Sequence, residues 1–517
     1  MAVGAGGRQA MSDTMTAGTG TAPHHPAASP TSVLPVNRSL YVDGGWREPV
    51  AGGSLAVTNP ATGASLGLVA QAGAADVDAA VAAAGRAYRV WRQVAPAERA
   101  KILRRIAQIV RANARELALI DAIDGGNPVH EMEGDVANAA AQLDFFAGLV
   151  TEMKGHSVPL GRDSVNFSVR EPRGVIGRII PFNHPFMFCA AKSAAPLAAG
   201  NTVIVKPPDQ APLSSLRFAE LIEGLLPPGV FSVLPGGRDA GAALASHPGV
   251  AMISLIGSVQ AGRAVMKAGA DTIKPVLLEL GGKNALIALA DADPDEVAAA
   301  VVAGMNFTWC GQSCGSTSRA FIHDAIHDAV VARIAERVKH FRPGDPSDAA
   351  TTMGAIISET QLAKVLGFIS DTKAEGATLL CGGGRPSDPA LAKGNFVEPT
   401  VFTGVTPEMR LAREEVFGPV LAVFRWTDEA GMLATVNRVE YGLTCSIWTN
   451  DVRDAHRLAA DVEAGFVWIN EVSRHFLGTP FGGYKQSGIG REECIEELLS
   501  YTQEKHIHVN LKRPARA

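Results

Sequence analysis

The sequence predicts an α/β protein: a doubly wound, mainly parallel sheet, then a second α/β unit, with short β segments at the flanks. Three observations predict it. Five short apolar runs between Val175 and Leu280 alternate with helical stretches, the pattern of a parallel sheet crossed by helices. A second series of the same kind begins after Gly282. The chain has 517 residues, too many for one hydrophobic core, so two or more domains are expected.

Each element has its own signal. Residues 40–70 read as short strands with turns around Gly44-Gly45 and Asn59-Pro60. Residues 74–120 are helical by period, with Ile102, Ile106 and Ile109 on one face, and a further helix is expected over 131–150. Buried strands are predicted at 175–180, 202–205, 230–234, 252–255 and 276–280, with helices at 186–199, 213–226, 240–246 and 261–270 between them. The crossovers should be right-handed. In the second series a strand at 284–289 precedes a helix reaching about Asn306, with Asp293 as N-cap and Pro294 in the first turn. Further strands are expected at 320–323, 420–424, 446–448 and 466–469. The active site is expected between the two units, where the strands of both end. Residues 157–170 alternate and read as an exposed hairpin, and 507–511 also alternates. Exposed edges of this kind are association surfaces, although a hairpin folded on its own domain is the other reading.

Composition excludes several classes. The chain is 47% hydrophobic with a formal net charge of −5, and no basic block points to nucleic acid. No run of about 18 apolar residues is present, so no membrane span is expected. The six cysteines make no paired metal set, so no metal is expected, and five of them read as free thiols of a reducing, cytoplasmic protein. Residues 1–35 are rich in Ala, Gly, Thr, Ser and Pro and lack an apolar signal core. They read as a disordered tail, with Met11 or Met15 as alternative starts.

Seven motifs carry candidate chemistry. Cys314 sits among Gly311, Gln312, Ser313, Gly315 and Ser316, small and polar neighbours that leave it open to a substrate. Glu279, boxed by Leu278, Leu280 and a Gly-Gly turn, is a carboxylate whose pKa burial would raise, suited to act as a base. Together they point to covalent catalysis through a thioester. Asn183 follows a strand in a two-proline turn; its amide suits an oxyanion, or else caps the next helix. Lys206 and Asp209 follow another strand and fit ribose hydroxyls, or form a solvated loop pair. Gly257 and Ser258 open a helix where pyrophosphate can sit, with Gly257 allowing a tight turn, although glycine turns open many helices. Glu415 precedes a Gly-Pro break, and residues 480–492 form a glycine-rich turn.

This ordered set resembles the aldehyde dehydrogenase superfamily, over roughly residues 38–510. The resemblance is to the hydrolytic, non-acylating kind that makes carboxylic acids with NAD(P). It implies a Rossmann-like doubly wound cofactor domain, a second α/β catalytic domain and a small β oligomerisation element. The corresponding spans are 36–149 with 171–281, 282–495, and 150–170 with 496–517. It implies that Cys314 is the nucleophile, that Asn183 and the Cys314 N–H hold the oxyanion, and that Glu279 activates the water. Acylating relatives that use coenzyme A lack this glutamate. Lys206 and Asp209 match the adenosine-ribose clamp, Ser258 lies by the pyrophosphate, Glu415 holds the nicotinamide ribose and Phe417 packs by the ring. Many relatives have Glu where this chain has Asp209; an acid there repels a 2′-phosphate, so NAD is favoured over NADP. Glu492 matches a position linked to proton relay in some members.

Departures from the family bear on substrate. The motif Pro-Trp-Asn-Phe-Pro of many relatives reads Phe182, Asn183 and His184 between the prolines here. His475 and Ala191 stand at tunnel positions that are often aromatic, with Met187 beside them. Small Ala191 implies a wider tunnel, His184 and His475 a polar patch, and Phe186, Phe307, Trp309 and Phe476 apolar walls. These point to a bulky aromatic or terpenoid aldehyde; the hairpin and the C-terminal strand, which resemble the family's oligomerisation elements, imply a homodimer or homotetramer. Competing expectations are a coenzyme-A-acylating enzyme and a non-catalytic dinucleotide-binding protein.

Overall fold

The computed structural model describes residues 33–512. Most of the expected N-terminal tail, with both alternative start residues, lies outside them. The first sheet has eight strands in the order Gly45–Arg47, Leu40–Val42, Phe231–Val233, Thr202–Lys206, Val175–Ile179, Met252–Ile256, Val276–Glu279 and Gly488–Ile489. The five from Phe231–Val233 to Val276–Glu279 are parallel. They are buried on both faces, which is why their sequences are continuous apolar runs. In Thr202–Lys206 alternate side chains serve different cores: Val203 and Val205 belong to the core shared with the helix Pro185–Ala199, Ile204 to the one that holds Leu244 and Ile253. The chain adds strands on one side of Val175–Ile179, then on the other, so a topological switch lies between Val175–Ile179 and Met252–Ile256.

The second sheet has seven strands in the order Thr378–Cys381, Thr400–Thr403, Val420–Trp426, Arg319–His323, Ala285–Ala288, Thr444–Trp448 and Phe466–Ile469. It too is covered on both faces, with Ala285 and Ile287 in one core and Leu286 and Ala288 in the other. The helix Pro294–Gly304 starts as expected: Asp293 accepts from the backbone N–H groups of Asp295 and Glu296.

Four features differ from the sequence expectation. Residues 157–170 are not a self-contained hairpin. Ser164–Pro172 pairs antiparallel with Thr502–Asn510 over nine residue pairs, leaving only the bridge between Ser157 and Phe167 within the segment. Two strands, Thr378–Cys381 and Thr400–Thr403, were not anticipated. Gly488–Ile489, from the glycine-rich turn, completes the edge of the first sheet by pairing with Val276–Glu279. Finally, the site does not lie where the strands of both sheets end. Only five residues separate Glu279 from Ala285. The chain therefore passes from the end of a first-sheet strand straight into the start of a second-sheet strand, and the C-terminal edge of one sheet faces the N-terminal edge of the other. No helix among the described residues is long and apolar enough to cross a membrane.

Candidate active site

Parallel strands bring distant residues to one edge. Asp209, Asn183, Ser258 and Glu279 lie at or just beyond the C-terminal ends of four neighbouring strands of the first sheet. Cys314 and Glu415 lie in the loops that lead into Arg319–His323 and Val420–Trp426 of the second. Between the two sheets is a cavity of about 340 Å³ whose wall includes Cys314, Glu279, His184, Met187, Trp309 and His475.

The Cys314 loop is fastened on several sides. Asn284 donates from Nδ2 to the carbonyls of Cys314 (2.7 Å) and Ser316 (3.1 Å). Gln312 is buried; its Oε1 accepts from Ile357 N at 3.1 Å, so the glutamine of the motif braces the loop. Gly311 has φ +64°, and a β-carbon there would lie 2.3 Å from the carbonyl oxygen of Gly418, which no other residue accommodates. Cys314 itself is partly exposed into the cavity, whereas Cys310 is sealed in the second sheet's core. Burial pushes the Cys314 thiol up to about 12, with Glu279 and Glu415 adding, and the N–H groups of Gly315 and Cys314 opposing.

Glu279 is 3% exposed, and neither carboxylate oxygen has a hydrogen-bond partner. Burial holds its pKa well above the usual carboxylate range, and the nearby Glu492 raises it further. Gly482 makes room for it: a β-carbon there would sit 2.9 Å from Glu279 Oε1. Behind lies a buried charge network. Glu492 pairs with Arg178 (2.9 Å) and Lys192 (3.1 Å), and Lys192 also approaches Glu493 and Glu497. Two cations face four carboxylates. Burial would raise Glu492, but Lys192 and Arg178 hold it below the usual range, while burial carries Glu497 up to about 7.

Asn183 is 3% exposed and is not among the residues lining the cavity. Its Oδ1 has no hydrogen-bond partner, so it does not cap the following helix. Asp121 serves that helix instead, accepting from Phe186 N at 3.0 Å. Asn127 holds the turn by donating to the Asn183 carbonyl at 2.9 Å.

Along the first sheet's edge, Lys206 and Asp209 form a hydrogen-bonded ion pair. Ser258 caps the helix Val259–Ala270 by accepting from Ala261 N, which leaves its hydroxyl proton free. Gly257 does not have a positive φ, so a tight turn is not its role. A β-carbon there would make only ordinary contacts, and its N–H bonds Glu279 O. The glycine that packing demands is Gly262, where a β-carbon would lie 2.6 Å from Leu280 Cδ1. Glu415 accepts from Gly282 N at 2.8 Å, and burial raises its pKa to about 6. A β-carbon on Gly281 would lie 2.2 Å from Glu415 Oε2, so the Gly-Gly pair forms a cradle for that carboxylate. Phe417 stands beside it at φ +54°, with its ring edge-on to Phe182.

The expected tunnel residues separate into two groups. His184 and Met187 line the cavity, and His475 does so while bonding Glu493 at 3.1 Å. Ala191 is fully buried in the first sheet's core and does not line the cavity, whereas Met187, Phe188 and Lys192 of the same helix do. Phe186 and Phe307 are likewise core residues, and Phe476 is 42% exposed and off the cavity wall. The aromatic wall is Phe188, Trp309, Trp468 and Phe481. Sequence reasoning also missed Asp135, Asn138, Lys192 and Asn284. Glu131, Asp135, Asn138 and Gln142 recur at helical spacing, a polar stripe that was the available signal for the first two.

Comparison with known proteins agrees with this geometry. The Aldehyde dehydrogenase family model matches residues 46–507. Aldehyde dehydrogenase tropH of Talaromyces stipitatus is 50% identical over 485 residues, covering 92% of this chain and 94% of that protein. A betaine aldehyde dehydrogenase of Cereibacter sphaeroides is 42% identical over 475 residues, covering 92% and 97%. The NAD+ complex of an aldehyde dehydrogenase from Bacillus cereus superposes with a TM-score of 0.90 at 36% identity, covering 93% of this chain and 98% of that one.

Proposed function

We propose that this chain, which belongs to the aldehyde dehydrogenase family and oxidises an aldehyde to the carboxylic acid, does so with NAD, through a Cys314 thioester hydrolysed by water, on a bulky aromatic or terpenoid aldehyde. The observation that carries this reading is that Cys314 and Glu279 line one cavity.

The Cys314 thiolate attacks the aldehyde carbon, and the carbonyl electron pair moves onto oxygen. The Asn183 amide and the Cys314 backbone N–H hold that oxyanion. NAD, when bound, supplies the hydride acceptor that lets the thiohemiacetal become a thioester. Glu279 then takes a proton from water as the water adds to the thioester carbon. The C–S bond breaks, and the acid and the Cys314 thiolate are released.

The donor set fits a dinucleotide. Glu415, cradled by Gly281 and Gly282, suits the nicotinamide ribose, with Phe417 beside the ring. Gly257 and Ser258 at a helix N-terminus suit the pyrophosphate. Lys206 and Asp209 suit the adenosine ribose, and the Asp209 carboxylate opposes a 2′-phosphate, favouring NAD over NADP. On this reading the first sheet and its helices bind the cofactor and the second carries the nucleophile.

Size and lining support the substrate class. About 340 Å³ walled by Met187, Phe188, Trp309, Trp468 and Phe481 would be mostly empty around acetaldehyde. Ala191, a core residue, adds no width to the cavity. The ribbon formed by Ser164–Pro172 and Thr502–Asn510 exposes Val165 and Val509, which supports a homodimer or homotetramer. The test is NADH release across aliphatic, aromatic and terpenoid aldehydes with either cofactor. Preference for the smallest aliphatic members contradicts the substrate class, and no release with any aldehyde contradicts the reaction.

A further inference from the structure

His184 occupies an unusual position for a titratable residue. It is the residue after Asn183, at the N-terminus of Pro185–Ala199, and lines the cavity shared by Cys314 and Glu279. Its Nδ1 lies 2.7 Å from Asp135 Oδ2, and Asp135 is itself 7% exposed. Phe188 and Trp309 meet the imidazole edge-to-face, with centroids 5.4 and 5.3 Å away, so the ring is clamped on two sides. No hydrogen bond among the described residues engages Nε2. The ring is 9% exposed, and that exposure opens onto the cavity.

A buried His–carboxylate pair is a weak source of stability, since apolar residues of the same volume often do as well. Between the Phe188 and Trp309 rings it instead presents one oriented polar atom. A carboxylate at Nδ1 takes the Nδ1 proton and leaves Nε2 as the atom offered to a ligand, an acceptor in the neutral ring and a donor in the imidazolium. Burial alone would lower the His184 pKa, but Asp135, aided by Asp121 and Glu131, outweighs it, so the ring's pKa is raised toward the imidazolium, the form whose Nε2–H donates.

We propose that His184, held by Asp135, donates a hydrogen bond from Nε2 to a second oxygen of the substrate. The site therefore selects aldehydes that carry an oxygen acceptor away from the reacting carbon. The acceptor is a carboxylate, phenolic, ether or keto oxygen, all sharing the lone pair that Nε2–H requires. His184 is a specificity-determining residue and Asp135 a positioning residue. The inference rests on the reading of this cavity as the aldehyde site and deepens it.

The test compares kcat/KM for benzaldehyde with that for its 3- and 4-hydroxy, methoxy and carboxy derivatives. Wild type, His184→Phe, His184→Gln and Asp135→Asn are compared with NAD saturating. The wild type is expected to favour at least one methoxy or carboxy derivative over benzaldehyde by about 10- to 100-fold, the range of one hydrogen bond to a charged group. His184→Phe should bring that ratio to within about threefold of unity. His184→Gln, which keeps an N–H donor, should retain part of it, and Asp135→Asn should lower it. General damage to the fold slows every aldehyde together and leaves the ratio standing, so the ratio separates a recognition role from a structural one. A wild type that favours no derivative overturns the proposal, as does an equal ratio in wild type and His184→Phe. Selectivity confined to the hydroxy derivatives overturns the donor role, since a methoxy or carboxylate oxygen only accepts. If those results come with ordinary turnover, the reading of the cavity stands and only this inference falls. A wild type that oxidises no aldehyde removes both.

Discussion

The Lys192 ammonium lies 3.1 Å from Glu492 Oε2, and that buried pair sets the charge against which Glu279 must ionise. Arg178 closes the other side of Glu492 at 2.9 Å. Glu492 is thus held ionised, while Glu279, without a hydrogen-bond partner, is held protonated beyond the ordinary range. Two carboxylates are pushed apart by their surroundings, a pattern that assigns acid and base roles.

Replacing Glu492 by Gln follows directly. Removing its negative charge leaves Lys192 and Arg178 to stabilise the Glu279 carboxylate. As the proposed base, Glu279 would act above its raised pKa, with activity lost as pH falls through it. The acidic limb of the kcat profile should therefore move to lower pH. The same change leaves two buried cations short of a partner and should cost about 3 kcal/mol of stability. A limb that stays in place or moves to higher pH in a folded variant contradicts this coupling.

Asn183→Ala removes the Nδ2–H donor proposed for the oxyanion. If that amide serves the developing oxyanion, kcat should fall on the order of 10²- to 10³-fold with a much smaller change in KM. Steady-state kinetics on one good aldehyde checks it. A change confined to KM would assign Asn183 to substrate binding alone.

Gly281→Ala places a β-carbon 2.2 Å from Glu415 Oε2 and displaces the carboxylate from Gly282 N. The KM for NAD should rise by about 10-fold, the loss of one charged hydrogen bond, while the aldehyde KM changes less. Titration of bound NAD by protein fluorescence gives an independent reading. Unchanged NAD affinity would remove Glu415 from the cofactor site.

What the sequence made legible were features that local chemistry dictates. The strands Thr202–Lys206 and Met252–Ile256 announced themselves as mostly apolar runs because both faces are covered, and Asp293 followed by Pro294 marked a helix start. Cys314 and Glu279 stood out against neighbours of the opposite character. The illegible features depend on partners far along the chain. Ser164–Pro172 finds its partner more than 300 residues later, so its alternation looked like a hairpin. Lys192 reads as one polar residue in an apolar helix until the fold brings Glu492 to it. Ala191, one position away, is core although Met187, Phe188 and Lys192 of the same helix reach the cavity, which no spacing argument could separate from a tunnel wall.

The central claim is that Cys314 carries a thioester that Glu279 helps water to hydrolyse. The most direct measurement is rapid mixing of Glu279→Gln with NAD and a substrate aldehyde, followed by intact-protein and peptide mass analysis. A burst of about one NADH per active site, an acyl group on the Cys314 peptide and steady turnover reduced about 10²- to 10⁴-fold are expected. Wild-type turnover by Glu279→Gln with no acylated Cys314, or undiminished oxidation by Cys314→Ala, would contradict it.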